Sequence, residues 1–221
     1  MTTPHTSLSE VQNQPSFKQM AGAVILPAIA AAAGLGIASA APDGGLVFYV
    51  ATFAVAAVYF IAWAFCRRSH PAFLLGRAGK DAVRGLGIGI GLLLIFLAGA
   101  FLVRYIPVLA GPVDSLLDNA RYGLLWVTIL TTAINGVGEE VFFRRIAMDY
   151  LPGTWRTRAL ISLVLYIAVT AAMGVPLLAL AAIAVGVPAT LEARRTGSLV
   201  SACVLHISWS LGMLLILPHL I

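Results

Sequence analysis

Charge is scarce in this 221-residue chain: 10% of its residues are Asp, Glu, Lys or Arg, while 60% are hydrophobic and the mean hydropathy is +0.96. A soluble globular domain carries about a quarter of its residues charged, so this composition excludes one and points to an integral membrane protein. Cysteine is limited to Cys66 and Cys203. They fall at a membrane edge and in mid-span, at different depths, which excludes a disulfide and leaves them without bearing on redox compartment or metal binding. The chain has no Ser-His-Asp set, no HExxH, no paired CxxC and no phosphate loop. A hydrolytic site here has to use a glutamate. Repeats, soluble domains and linkers are absent too, which leaves one bundle.

What is present is apolar sequence in lengths that fit a bilayer. Residues Met20 to Ala40, Leu46 to Cys66 and Gly85 to Ala110 can each cross a hydrocarbon core of about 30 Å as helices, as can Tyr122 to Leu151. Ala159 to Met173, Val175 to Thr190 and Ser198 to Leu217 follow. The expected fold is an all-α polytopic bundle of about seven spans, with eight as the alternative. Residues 1–17 read as a disordered cytoplasmic tail, 18–121 as the N-terminal transmembrane helices and 122–217 as the membrane domain that carries chemistry. The first span is longer than the apolar core of a signal peptide and follows a single lysine, Lys18, so it reads as a retained helix.

The net charge of +5 is a topology signal rather than a nucleic-acid footprint. Basic residues cluster at Lys18, at Arg67 to Arg84, at Arg144 to Arg158 and at Arg194 and Arg195, in alternate connections. That is the positive-inside pattern, and it predicts a cytoplasmic N-terminus. Ser69 to Arg84 is then a cytoplasmic connection with room for a short interfacial helix. In the third span, Gly85, Gly87, Gly89 and Gly91 make small-xxx-small faces that predict close packing on a neighbour.

Against this background the stretch NGVGEEVFFRR, residues 135–145, stands out. A charge at the bilayer centre costs about 2.5 to 3.5 kcal/mol, so four in seven residues either lie outside lipid or have a task. Successive helical residues diverge by about 100°, which assigns Glu139 and Glu140 separate surroundings. Glu140 and Arg144 are four apart with the acid first, the favoured order for an ion pair. Glu139 is left facing the neighbouring helices, where a carboxylate can serve as a general base. The alternative is a solvated patch at the cytoplasmic end of span four, since Glu139 lies about 27 Å along a helix that starts at Tyr122. His206 lies about 12 Å into the last span, where an imidazole needs a polar partner, and Ser210 is one turn further on the same face. His5, His70 and His219 fall in the tail, a loop and the C-terminus. One histidine and two diverging acids are a poor metal ligand set, so no metal and no cofactor is expected.

These residues resemble the CPBP intramembrane proteases, which include the CAAX prenyl endopeptidases and bacteriocin-processing or self-immunity proteins. The resemblance is carried by Glu139-Glu140-Val-Phe-Phe-Arg144, matching EExxxR, and by residues 194–210, RRTGSLVSACVLHISWS, around the family's last histidine. It covers residues 122–214. It implies that Glu139 is the base that activates a water, that Glu140 with Arg144 is a structural pair, and that His206 stabilises an oxyanion. Two positions depart from the family. Tyr166-Ile-Ala-Val-Thr170 stands where FxxxH is usual, and Ser210 stands in place of an asparagine. Thr170 and Ser210 can orient a water, but neither accepts its proton at neutral pH.

The resemblance implies a glutamic-type peptidase in a bacterial cytoplasmic membrane, acting on peptide or lipidated protein substrates among membrane lipids, with no nucleic acid partner. A catalytically silent member that binds such a partner in the same cavity, as an immunity or chaperone-like protein, is the alternative. Transport fits less well, because the two halves show no matching pair of interrupted helices.

Overall fold

The computed structural model of this chain describes residues 15–66 and 72–220. Among the described residues the architecture is all-helical, with eight helices and no strand. They are α1 (Phe17–Ser39), α2 (Leu46–Cys66), α3 (Ala78–Val103), α4 (Pro107–Arg121), α5 (125–150), α6 (Trp155–Ala171), α7 (Pro176–Thr196) and α8 (Val200–Ile216). The N-terminal tail expected over residues 1–17 lies outside the described residues except for its last three. There Ser16 opens α1 with a reciprocal cap: its Oγ accepts from the Gln19 amide at 3.3 Å, and its own amide donates to Gln19 Oε1 at 2.9 Å.

Among the described residues five helical segments are long and apolar enough to cross a membrane: Phe17–Ser39, Leu46–Cys66, Leu75–Val103, Pro176–Thr196 and Val200–His219. The expectation of about seven spans counts α5 and α6 as well. Between α3 and α4 the structure differs from the sequence reading, which ran one span from Gly85 to Ala110. α3 starts earlier, at Ala78, and ends at Val103. Pro107 then opens the separate, 15-residue α4 at a position where its missing N–H is harmless. The expected interfacial helix before α3 is a single 3-10 turn, Leu75–Arg77, that runs straight into α3, so Lys80 and Arg84 are helix residues.

α8 packs along α3, α1 along α2, and α5 is held between α2 and α8, with α6 on α7. Glycine makes the first contact close. A Cβ on Gly85 would collide with the Ser201 carbonyl, and one on Gly89 with Ser208 Oγ and the Leu205 carbonyl, whereas Gly87 and Gly91 face open space. The most extensive buried apolar cluster among the described residues lies where α1, α2, α5 and α6 meet. Tyr59 stacks on Phe142 with ring centroids 5.0 Å apart, Phe142 meets Phe143 edge-on at 4.9 Å, and Phe143 meets Tyr166 at 4.9 Å. Outward-facing Leu46, Phe65, Leu94 and Ile95 are exposed, as a lipid-facing surface requires.

The two ends of the bundle differ in charge. At one end the Leu199 amide donates to the Ala72 carbonyl at 2.8 Å and the Leu74 amide to Ser198 Oγ at 3.1 Å. Arg84 of α3 pairs there with Glu192 of α7. Residues 72–84, 144–158 and 194–199 therefore gather at this basic end. At the other end Arg121 closes α4 onto Asp114 and Asp118 and reaches the Pro218 carbonyl.

Candidate active site

The charged motif sits where α5 changes its winding. Residues Leu125–Val141 are α-helical, Phe142–Ile146 form a π-helical turn in which the Ala147 amide donates to the Phe142 carbonyl, and Ala147–Tyr150 complete the helix. Single π turns inside α-helices are rare and concentrate at functional sites. Here the widened turn carries Arg144, and the Phe143 carbonyl accepts a hydrogen bond from Ser162 Oγ of α6 at 2.6 Å.

Glu140 is fully buried, and its two oxygens have different partners. Oε2 faces Arg144 Nε at 3.2 Å, and Oε1 lies 2.7 Å from His206 Nδ1 of α8. The Arg144 side chain is 2% exposed, and its guanidinium carbon lies 4.5 Å from the centre of the Tyr166 ring. Room for it comes from Gly186 of α7, where a Cβ would stand 3.0 Å from Arg144 Nη2. Gly136 packs against α8 at ordinary contact distance, where a Cβ would stand 3.4 Å from Ile207 and 3.8 Å from the imidazole. An uncompensated buried charge is strongly destabilising, so the acid, the guanidinium and the imidazole hold one another in place.

Glu139 is reached from the other side of the same ring, with Oε2 3.8 Å from His206 Nε2. The Tyr166 side chain lines the same cavity as this carboxylate. The sequence reading gave the two glutamates separate surroundings, yet both reach His206. The 100° between neighbouring helix positions is offset by long, flexible side chains and by an imidazole that offers a nitrogen on each edge. With Nδ1–H donated to Glu140, Nε2 is the nitrogen directed toward Glu139.

A cavity of about 210 Å³ opens at this point, and Glu139, Thr170, His206 and Ser210 all line it, with Tyr166 and Asn135. Glu140 and Arg144 lie behind its wall. A second, apolar cavity of about 440 Å³ runs between α3, α4, α7 and α8 and shares Trp209 and Ser210 with the first. Sequence reasoning assigned no part to two of these residues. Tyr166 was noted only as the aromatic before Thr170, although a buried phenol in a membrane helix has to find an acceptor. Asn135, one turn before Glu139, donates from Nδ2 to the Thr52 and Thr131 carbonyls at 3.0 Å each, and its Oδ1 is buried without a hydrogen-bond partner. Among the described residues no three His, Cys, Asp or Glu side chains gather as a metal site would require.

An all-helical bundle with lipid-facing apolar walls and an acid–imidazole–guanidinium cluster inside it defines an integral membrane protein with a polar centre. Residues 121–212 match the family described as Type II CAAX prenyl endopeptidase Rce1-like. That match supports membership of the CPBP family, a family of membrane endopeptidases. No curated protein and no solved structure matches the chain.

Proposed function

We propose that this protein is an intramembrane glutamic-type endopeptidase that cleaves peptide bonds of membrane-associated or lipidated substrates, with its N-terminus in the cytoplasm of a bacterial cell. The observation that carries this reading is the pairing of Glu139 with His206 across one small polar cavity that adjoins a larger apolar one. Glu139 takes a proton from a water as the water oxygen attacks the substrate carbonyl, and returns it to the amine nitrogen as the peptide bond breaks. His206, as the imidazolium with a proton on each nitrogen, donates from Nε2 to the oxygen that becomes negative, while Glu140, held by Arg144, fixes the ring through Nδ1. Tyr166 orients the Glu139 carboxylate. Thr170 and Ser210 supply hydroxyls to the attacking water, and the free Asn135 Oδ1 accepts the substrate N–H. The apolar cavity suits an alkyl or isoprenoid chain attached to the substrate, because it offers almost no polar surface beyond Thr128, Thr132 and Ser210.

The silent-binder reading is favoured by one observation: the family's middle histidine is absent and Thr170 stands in its place on the cavity wall. A positioned acid or base is worth a factor of about 10² to 10⁴, which sets the expected shortfall in rate. Hydrolysis of a lipidated reporter peptide by the purified protein in detergent separates the two. Turnover that disappears in a folded Glu139→Ala variant supports the peptidase. Binding of the peptide with no cleavage by the wild type moves the assignment to the silent member.

A further inference from the structure

A larger cavity with a polar wall lies apart from the one that holds Glu139. It measures about 480 Å³, within the roughly 300 to 1,000 Å³ of small-ligand sites, and lies at the basic end of the bundle. Four arginines line it from three helices: Arg144 and Arg145 of α5, Arg158 of α6 and Arg194 of α7. Asp149 is the single acid in its wall, and it is engaged by Arg145 at 3.4 Å. The positive end of α6 adds to the field, because Thr154, which caps that helix, and Trp155 also line the space.

We propose that this cavity binds a phosphate group. No carboxylate pairs with Arg158 or Arg194 among the described residues. The Arg194 guanidinium carbon lies over the Trp155 ring, 3.8 Å from its centre, a contact that holds the side chain at the cavity wall without using its N–H donors. Arg158 spends one N–H on the Met148 carbonyl at 3.3 Å, and its Nε has no hydrogen-bond partner. Behind them is Arg144, whose Nη1 and Nη2 are buried without hydrogen-bond partners although Nε serves Glu140. Unmet guanidinium donors approaching from α5, α6 and α7 call for a compact anion that presents oxygens in several directions, which a tetrahedral phosphate does and a planar carboxylate does not. The phosphate is carried by an anionic phospholipid headgroup or arrives as free phosphate. This inference does not depend on peptidase activity.

The test uses the full chain in detergent micelles at constant ionic strength. Three probes are titrated separately: dihexanoyl phosphatidylglycerol, inorganic phosphate and the phosphate-free dihexanoylglycerol, with the thermal midpoint followed by tryptophan fluorescence. We expect a saturable rise with a phosphate-bearing probe and none with dihexanoylglycerol. Response to phosphatidylglycerol alone identifies a lipid headgroup, and an equal response to inorganic phosphate identifies the free anion. The Arg158→Gln/Arg194→Gln double variant should weaken the apparent affinity at least tenfold, while Arg156→Gln, an exposed arginine outside the cavity, should leave it unchanged. As a measurement independent of variant folding, the bound probe should slow phenylglyoxal modification of Arg158 and Arg194 in the wild type. No saturable response to either phosphate probe, unchanged affinity in the double variant, or no protection of these arginines overturns the proposal.

Discussion

Removing the Glu140 carboxylate should damage the protein far more than removing its neighbour. In Glu140→Ala the Arg144 guanidinium loses the carboxylate 3.2 Å from Nε, and His206 Nδ1 loses the acceptor 2.7 Å away. Both groups stay buried, because Gly186, Tyr166 and the turn Phe142–Ile146 enclose Arg144, and Gly136 of α5 and Tyr166 of α6 flank His206. Breaking a buried pair by deleting one partner costs about 3 to 5 kcal/mol, chiefly through the charge left without compensation. For a chain of this size 1 kcal/mol lowers the melting midpoint by about 2 to 4 °C, which gives a fall of roughly 6 to 20 °C. Glu139→Ala removes a carboxylate that is 17% exposed at the cavity and 3.8 Å from its nearest imidazole nitrogen, so its midpoint should stay within about 3 °C of wild type. Glu140→Gln keeps an acceptor for His206 but not the charge for Arg144, and should fall between the two. Thermal unfolding of the three variants in one detergent, with size-exclusion profiles for folded yield, is the measurement. Equal losses from Glu139→Ala and Glu140→Ala, or a Glu140→Ala midpoint within error of wild type, would refute the division of labour derived from these distances.

Gly89→Ala should lower the midpoint by several degrees and Gly87→Ala should not, because a Cβ at 89 meets the Leu205 carbonyl and Ser208 Oγ while one at 87 meets nothing; overpacking costs about 1 to 3 kcal/mol, and thermal unfolding reads it. Thr170→His places an imidazole on the cavity that Glu139 and His206 line, and should raise the rate of peptide hydrolysis over wild type; a folded variant with no gain argues against the assigned use of that wall. For topology, an engineered cysteine at the exposed Gly76 should be labelled by a membrane-impermeant thiol reagent from the cytoplasmic side and one at the exposed Asp43 from the opposite side, and the reverse pattern would invert the orientation drawn from the arginine distribution.

Spacing made parts of this bundle readable from residues alone. The apolar stretch Leu46 to Cys66 is a helix end to end, since nothing in it interrupts the 3.6-residue ladder. The glycines of α3 announced a close neighbour, but only the 85/89 face found one, because 87 and 91 project to the other side of the helix. α4 went unseen for a physical reason. Its apolar residues continue those of α3, so hydropathy reads one long span, and the division is made by Pro107, which holds the preceding Ile106 out of the helical conformation. The helix that results is amphipathic. Its Val113 and Leu117 pack on Val175 and Leu217, while its carboxylates serve Arg121, an arrangement suited to the edge of a bilayer rather than its centre.

At the site, local pattern carried what lies within one helix and stopped where helices meet. The four-residue interval between Glu140 and Arg144 was enough to expect their ion pair, because both ends of that contact belong to α5. The link from Glu140 to His206 joins residues 66 apart in sequence, and no periodicity relates α5 to α8. It also changes the chemistry available to the histidine. A lone intramembrane imidazole can present either ring nitrogen, whereas one whose Nδ1 is held by a buried carboxylate presents only Nε2, and that nitrogen faces Glu139. Arg144, by holding Glu140, thus sets which face of His206 the cavity sees. The same guanidinium touches the arginine-lined space at the basic end through its other flank. Position along the chain therefore tells less about this residue than its two surroundings, the Glu140 carboxylate on one flank and the arginine-lined cavity on the other.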